Sequence, residues 1–154
     1  MSPRVEIDAV VEAMEMQSDD MHSFLHRPSG RFITVSDEAL VAAENGDEGA
    51  VTPEELADAQ QILSAAEEYL ELPDRFEINE YHMMERFAHG LGPAERDAML
   101  RALSGRGAFR YFKDTVHRLG LAKAWYAFRD EGYEEVARSW CDEHGIAHGP
   151  ADRA

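Results

Sequence analysis

A chain of 154 residues with 44% hydrophobic and 30% charged side chains is sized for one domain with a sizeable core. No apolar run reaches the length a transmembrane helix needs, so no membrane span is expected. The opening Met1-Ser2-Pro3-Arg4-Val5-Glu6 lacks the apolar stretch of a signal peptide, and a lone cysteine, Cys141, excludes an internal disulfide framework. A cytoplasmic setting is the expectation.

The formal net charge of −16 is unevenly spread. Residues 1–100 carry 6 basic and 23 acidic side chains, a net −17. Residues 101–129 carry 7 basic and 1 acidic, a net +6. Residues 130–154 carry 2 basic and 7 acidic, a net −5. The acidity serves solubility and repels bulk nucleic acid at long range. The basic segment either opposes that locally or pairs with the protein's own carboxylates.

In chain order, Val5 and Ile7 are extended in pattern. Asp8 is placed to cap a short helix from Ala9 to about Gln17, with Val10, Ala13 and Met14 inward. Met21 to His26 and Arg31 to Val35 read as a hairpin around Arg27-Pro28-Ser29-Gly30, where Pro sets a turn φ and Gly takes the left-handed position. Ser36-Asp37-Glu38 starts a helix that ends near Asn45-Gly46. An acidic, flexible loop is expected over 45–51.

Thr52-Pro53-Glu54-Glu55 is the clearest helix start, with Thr52 as cap, Pro53 at the first helical position and Glu55 completing a capping box. Leu56, Ala59, Leu63 and Ala66 follow at helical spacing. Tyr69 to Leu72, stopped by Pro73, either extends that helix or forms a third short strand, and the strand is the preferred reading. Asn79 caps a helix to about Ala88 with Tyr81, Met84, Ala88 and Leu91 inward. Gly92-Pro93 starts another, carrying Met99, Leu100 and Leu103.

Gly105-Arg106-Gly107 then opens the basic segment. Phe109, Phe112, Val116 and Leu119 share one side of the expected helix. Arg106, Arg110, Lys113 and His117 fall on another. Leu121, Ala124, Trp125 and Phe128 form one further amphipathic set; Tyr133, Val136, Ala137, Trp140 and Cys141 form a second. Gly132 between them leaves one helix or two as alternatives. Gly145 ends the last helix, and a frayed tail is expected over 147–154. These elements predict an α+β fold, predominantly helical, with a small N-terminal antiparallel hairpin or three-stranded sheet, as a single domain over 1–146.

The chain resembles a bacterial family of unknown function, uncharacterised protein family 0158. The resemblance rests on Val10-Val11-Glu12-Ala13-Met14-Glu15 with the hairpin after it, on Leu72-Pro73, and on Tyr81-His82-Met83-Met84-Glu85-Arg86-Phe87. Its most specific parts are Gly105 through Asp114 and Trp125-Tyr126-Ala127-Phe128-Arg129. It implies a bacterial, cytoplasmic setting and carries no activity, cofactor or catalytic residue.

No catalytic signature emerges. The glycine-flanked Gly105-Arg106-Gly107 turn before a helix could present N–H groups to an anion, with Arg106 and Arg110 adding charge. It lacks the ending of a P-loop, and the alternative is a tight interhelical turn. His82, Glu85 and His89 share a helix side with Arg86, which reads as a solvated polar face and not a metal site. Cys141 is in phase with Ala137 and Trp140 and reads as a buried thiol. Tyr126, out of phase with Trp125 and Phe128, is the expected exposed aromatic. The residues expected to bind a ligand or partner are therefore Gly105, Arg106, Gly107, Arg110, Lys113 and Tyr126, with no metal or cofactor. The expected partner is an acidic protein or a nucleic acid. The alternatives are a small enzyme or sensor holding a phosphate or carboxylate ligand, and a basic segment that is purely structural.

Overall fold

The computed structural model describes residues 3–149. The fold is α+β and mostly helical, and it divides into two compact units. One is formed from the chain up to Asp74 and again from Val136 onward; the other runs from Arg75 to Glu135.

The first unit begins with β1 (Val5–Glu6) and α1 (Ile7–Glu15). Glu6 precedes α1 without a side-chain cap, and Asp8 lies in the first helical turn, where its charge favours the dipole, instead of at the cap position. Ile7, Val10, Ala13 and Met14 are buried, so the helix starts two residues earlier than expected because Ile7 joins its apolar stripe. The hairpin of β2 (Met21–His26) and β3 (Arg31–Ser36) pairs Met21 with Ser36 and His26 with Arg31. Gly30 closes its turn at φ +73°. The third strand, β4 (Tyr69–Glu71), adds to the other edge of β2, giving an antiparallel sheet of order β3-β2-β4.

Ser36 caps α2 (Asp37–Asn45) by accepting the Ala39 N–H, and Gly46 ends it in the left-handed conformation. Thr52 caps α3 (Pro53–Ser64) by accepting the Glu55 N–H at 3.2 Å. The inner stripe of α3 is Leu56, Ala59 and Ile62; Leu63, expected inward, is exposed. A short 3-10 turn over Ala66–Glu68 then redirects the chain into β4, so Ala66 no longer continues the stripe.

The second unit holds α4 (Arg75–Ile78), α5 (Glu80–His89), α6 (Pro93–Leu103) and α7 (Ala108–Arg118). Asn79 caps α5 by accepting the His82 N–H at 3.2 Å. The buried side of α5 is Met83, Met84, Phe87 and Ala88. Tyr81 stays partly exposed and donates its hydroxyl to the Leu103 carbonyl at 3.0 Å. Phe87, Phe112, Trp125 and Phe128 form an aromatic core: Phe112 and Trp125 meet edge-on at 4.9 Å, Phe87 and Trp125 at 5.4 Å. Such edge contacts add about 0.5–1.5 kcal/mol each beyond area burial.

Helix α8 (Ala122–Glu143) is a single helix that runs through Gly132 without a break. Its residues to Glu135 belong to the second unit and those from Val136 to the first. In the first unit, Trp140 donates its indole N–H to the Glu71 carbonyl at 3.2 Å and Cys141 is fully buried. His148–Gly149, expected to fray, form β5 in parallel pairing with Val5–Glu6. Residues 150–154, the rest of the expected tail, lie outside the described residues.

Candidate interaction surface on helix α7

Helix α7 follows directly on the turn at Ser104–Gly107. Gly105 at φ +93° and Gly107 at φ +73° both occupy the left-handed region, so the two glycines make the reversal between α6 and α7. A Cβ at Gly107 would also lie 3.2 Å from Cε2 of Tyr111, whose ring folds back over the turn. Gly107 brings no side-chain cap, and no acid stands in the first turn. His117 and Arg118 fill the last turn, where positive charge suits the helix dipole.

The buried stripe of α7 is not the one the spacing predicts. Phe112, Thr115 and Val116 are buried, while Phe109 is 50% exposed. Thr115 takes an inward position because its hydroxyl donates to the Tyr111 carbonyl at 2.7 Å and needs no water. That rotates the inner face away from Phe109, which is left at the edge of the outer face. Arg106 is corrected too: it sits exposed in the turn before the helix, outside its helical register.

Arg106, Arg110 and Lys113 are all exposed. Among the described residues, no ion pair or side-chain hydrogen bond engages any of the three. The alternative in which the basic segment pairs internally therefore finds no partner groups there. At 100° per residue, Phe109, Lys113, His117 and Arg110 occupy one sector about 100° wide. Tyr111 is 56% exposed but about 160° from Phe109 around the axis. Tyr126, on α8, is 46% exposed, while Trp125 beside it is buried and Phe128 packs in the core. The structure thus groups Arg110 and Lys113 on one helix face with Arg106 at its start. It adds Phe109, which periodicity had placed inward, and leaves Tyr126 on a different helix.

The basic residues of the second unit that do pair are elsewhere. Arg129 donates from Nε to Glu80 Oε1 at 2.6 Å and lies over the Tyr133 ring at 4.2 Å. Arg86 lies over Phe128 at 5.6 Å. On α5, His82 Nδ1 stands 4.0 Å from Glu85 Oε1, and the pair is well exposed. Among the described residues, no group of three His, Cys, Asp or Glu side chains is arranged to hold a metal ion.

A second polar cluster, invisible to sequence spacing, lies on the sheet of the first unit. His22 places Nε2 against Asp37 Oδ1 and Nδ1 3.3 Å from Glu71 Oε1. His26 pairs Nε2 with Glu68 Oε1 at 3.1 Å and Nδ1 with Ser29 Oγ at 2.7 Å, and its ring lies 4.7 Å from that of Tyr69. Burial pushes the Tyr69 phenol pKa up, the Glu68 and Asp58 carboxylates add to this, and Arg31 opposes it. The three carboxylates come from three elements, α2, the turn before β4 and β4, and the strand register β3-β2-β4 brings them to the two histidines. The pairs cross-link the central strand β2 to the start of α2, to the turn before β4 and to β4.

Buried Cys141 has its thiol pKa pushed up to about 11, by desolvation first and by the neighbouring Asp142 charge second. A thiol so protonated is a poor nucleophile. No protein-family model matches this chain, and no curated protein or solved structure matches it.

Proposed function

We propose that this chain is a non-enzymatic interaction module that engages an acidic protein or a nucleic acid through the basic face of α7. The observation that carries this reading is the exposed set Arg106, Arg110 and Lys113, which finds no ion-pair partner among the described residues, in a protein of net charge −16. Cations left unpaired by the described carboxylates are available to an external anion. The kinship to uncharacterised protein family 0158 is proposed on the segments quoted above alone; it supplies a bacterial, cytoplasmic setting and no activity. Among the described residues, no helix is long and apolar enough to cross a membrane.

The test is the double change Arg106→Glu and Arg110→Glu. Thermal unfolding should hardly move, because exposed charges change stability by less than about 0.5 kcal/mol. Binding to immobilised poly-L-glutamate or oligothymidylate should be lost, and wild-type binding should weaken with salt over a screening length of about 8 Å at physiological ionic strength. A wild type that retains neither polyanion at low salt would overturn the reading.

A second reading draws on the uncapped start of α7, where Gly107 offers no side chain to the free N–H groups. In it, the Gly105–Gly107 turn of a small enzyme or sensor holds a phosphate or carboxylate ligand, with Arg106 and Arg110 as donors. Inorganic phosphate at millimolar concentration should then raise the wild-type Tm and leave that of the double variant unchanged. No shift would dismiss it.

A further inference from the structure

Resting on the interaction reading above, we infer that the occupant of the α7 face is an acidic polypeptide segment bearing an apolar side chain, with Phe109 as its anchor and Arg110 and Lys113 as its carboxylate contacts. The first support is composition by sector. Phe109, half exposed, lies about 40° from Lys113 and about 100° from Arg110 around the helix. An apolar side chain set on Phe109 would thus bring flanking carboxylates within reach of both cations. Arg110 offers bidentate donors and Lys113 a point charge.

The second support separates a peptide from a nucleic acid strand. A single strand binds by stacking successive bases on successive aromatic platforms along a cationic track. Here Phe109 is the aromatic of α7 in the sector that holds both Arg110 and Lys113. Tyr111 lies about 160° from Phe109 and Lys113 and about 100° from Arg110, with its ring folded over the Gly107 turn. The cationic track is as short as α7 itself, 11 residues or about 16 Å. Within the second unit, the flanking residues 75–100 and 130–135 carry 3 basic and 9 acidic side chains, a net −6, which repels a polyphosphate that continues past the helix. A short acidic segment ends where the basic face ends, so its charge is complementary over its whole length.

The experiment uses the full chain and three fluorescent probes in anisotropy titrations. One is a synthetic peptide of glutamates with leucines at helical spacing, the second the same peptide with alanine for leucine, and the third oligothymidylate of similar length. The leucine peptide should bind at least about tenfold more tightly than the alanine peptide, with oligothymidylate weakest. Phe109→Ala should abolish the preference for leucine without changing Tm, and Phe109→Leu, which keeps an apolar surface, should retain it. Arg110→Glu with Lys113→Glu should remove binding of both peptides. Equal affinity for the two peptides, unaffected by Phe109→Ala, would overturn the anchor and leave the open cationic face standing. Tighter binding of oligothymidylate than of either peptide would overturn the peptide assignment in favour of nucleic acid. Binding of none of the three would sink this inference and the interaction reading together.

Discussion

A Cβ placed on Gly132 would lie 2.9 Å from the Sδ of Met83 and 3.1 Å from its Cε. Gly132 therefore sits in the middle of α8 as the point where the backbone of that helix meets the buried Met83 side chain of α5. A mid-helix glycine costs about 0.5–1 kcal/mol relative to alanine. Here that cost is offset by a close approach that no other residue permits without displacing Met83.

The contact predicts a coupled pair of substitutions. Gly132→Ala should be neutral or destabilising by about 1 kcal/mol, since overpacking cancels the propensity gain. In the Met83→Ala background the same change should stabilise by about 0.5–1 kcal/mol, because the obstructing side chain is gone. Urea denaturation of the four proteins in a double-mutant cycle measures the coupling. Additive effects would show that Met83 does not govern Gly132.

At the hairpin, Gly30 holds φ +73°, and a Cβ there would meet Pro3 Cβ and Cγ at 3.1 Å. Both the backbone conformation and the space oppose a β-branched residue. Gly30→Val should lower stability by on the order of 1–2 kcal/mol, with α7 binding unchanged. The denaturation midpoint is the readout, and an unmoved midpoint would contradict the strained turn.

Cys141 gives a pH signature. Its folded-state pKa of about 11 exceeds the ordinary value of 9.0, so the folded protein holds the thiol proton more tightly than the unfolded chain does. The contribution is fully present below about pH 9 and is lost as pH rises through about 11. Across that window the wild type should lose about 2–3 kcal/mol relative to Cys141→Ala. Chemical denaturation of both proteins between pH 8 and pH 11 checks this, and parallel curves would refute it. In the folded state at pH 8 the thiol should resist a disulfide reagent that labels it at once in urea.

Much of the fold was legible because its signals are local. The Ser36, Thr52 and Asn79 caps each act within three residues of their partners, and all three are found in place. The hairpin turn likewise follows from short-range chemistry; at Tyr69–Glu71 residue order leaves helix extension and strand both open, and the strand forms by pairing with distant β2. The basic character of α7 and the buried places of Phe112, Val116, Trp125 and Cys141 also came from residue order alone.

What residue order left undecided depends on contacts distant in the chain. Gly132 does not break α8, and there the helix backbone lies against Met83, 49 positions away in the chain. The pairing of Val5–Glu6 with His148–Gly149 joins the two ends of the described chain, which no local pattern encodes. The three carboxylates around His22 and His26 arrive from the start of α2, from the turn before β4 and from β4 itself. On α7 the decision was steric: Phe109 and Thr115 both border the apolar stripe, and periodicity favours the aromatic. The threonine won the inner place because its hydroxyl is satisfied by the Tyr111 carbonyl, and Phe109 was turned outward beside the cations. The sequence by itself determined which helix is basic; the tertiary packing decided which side chains that helix shows to solvent, because burial is fixed by what the rest of the core leaves room for.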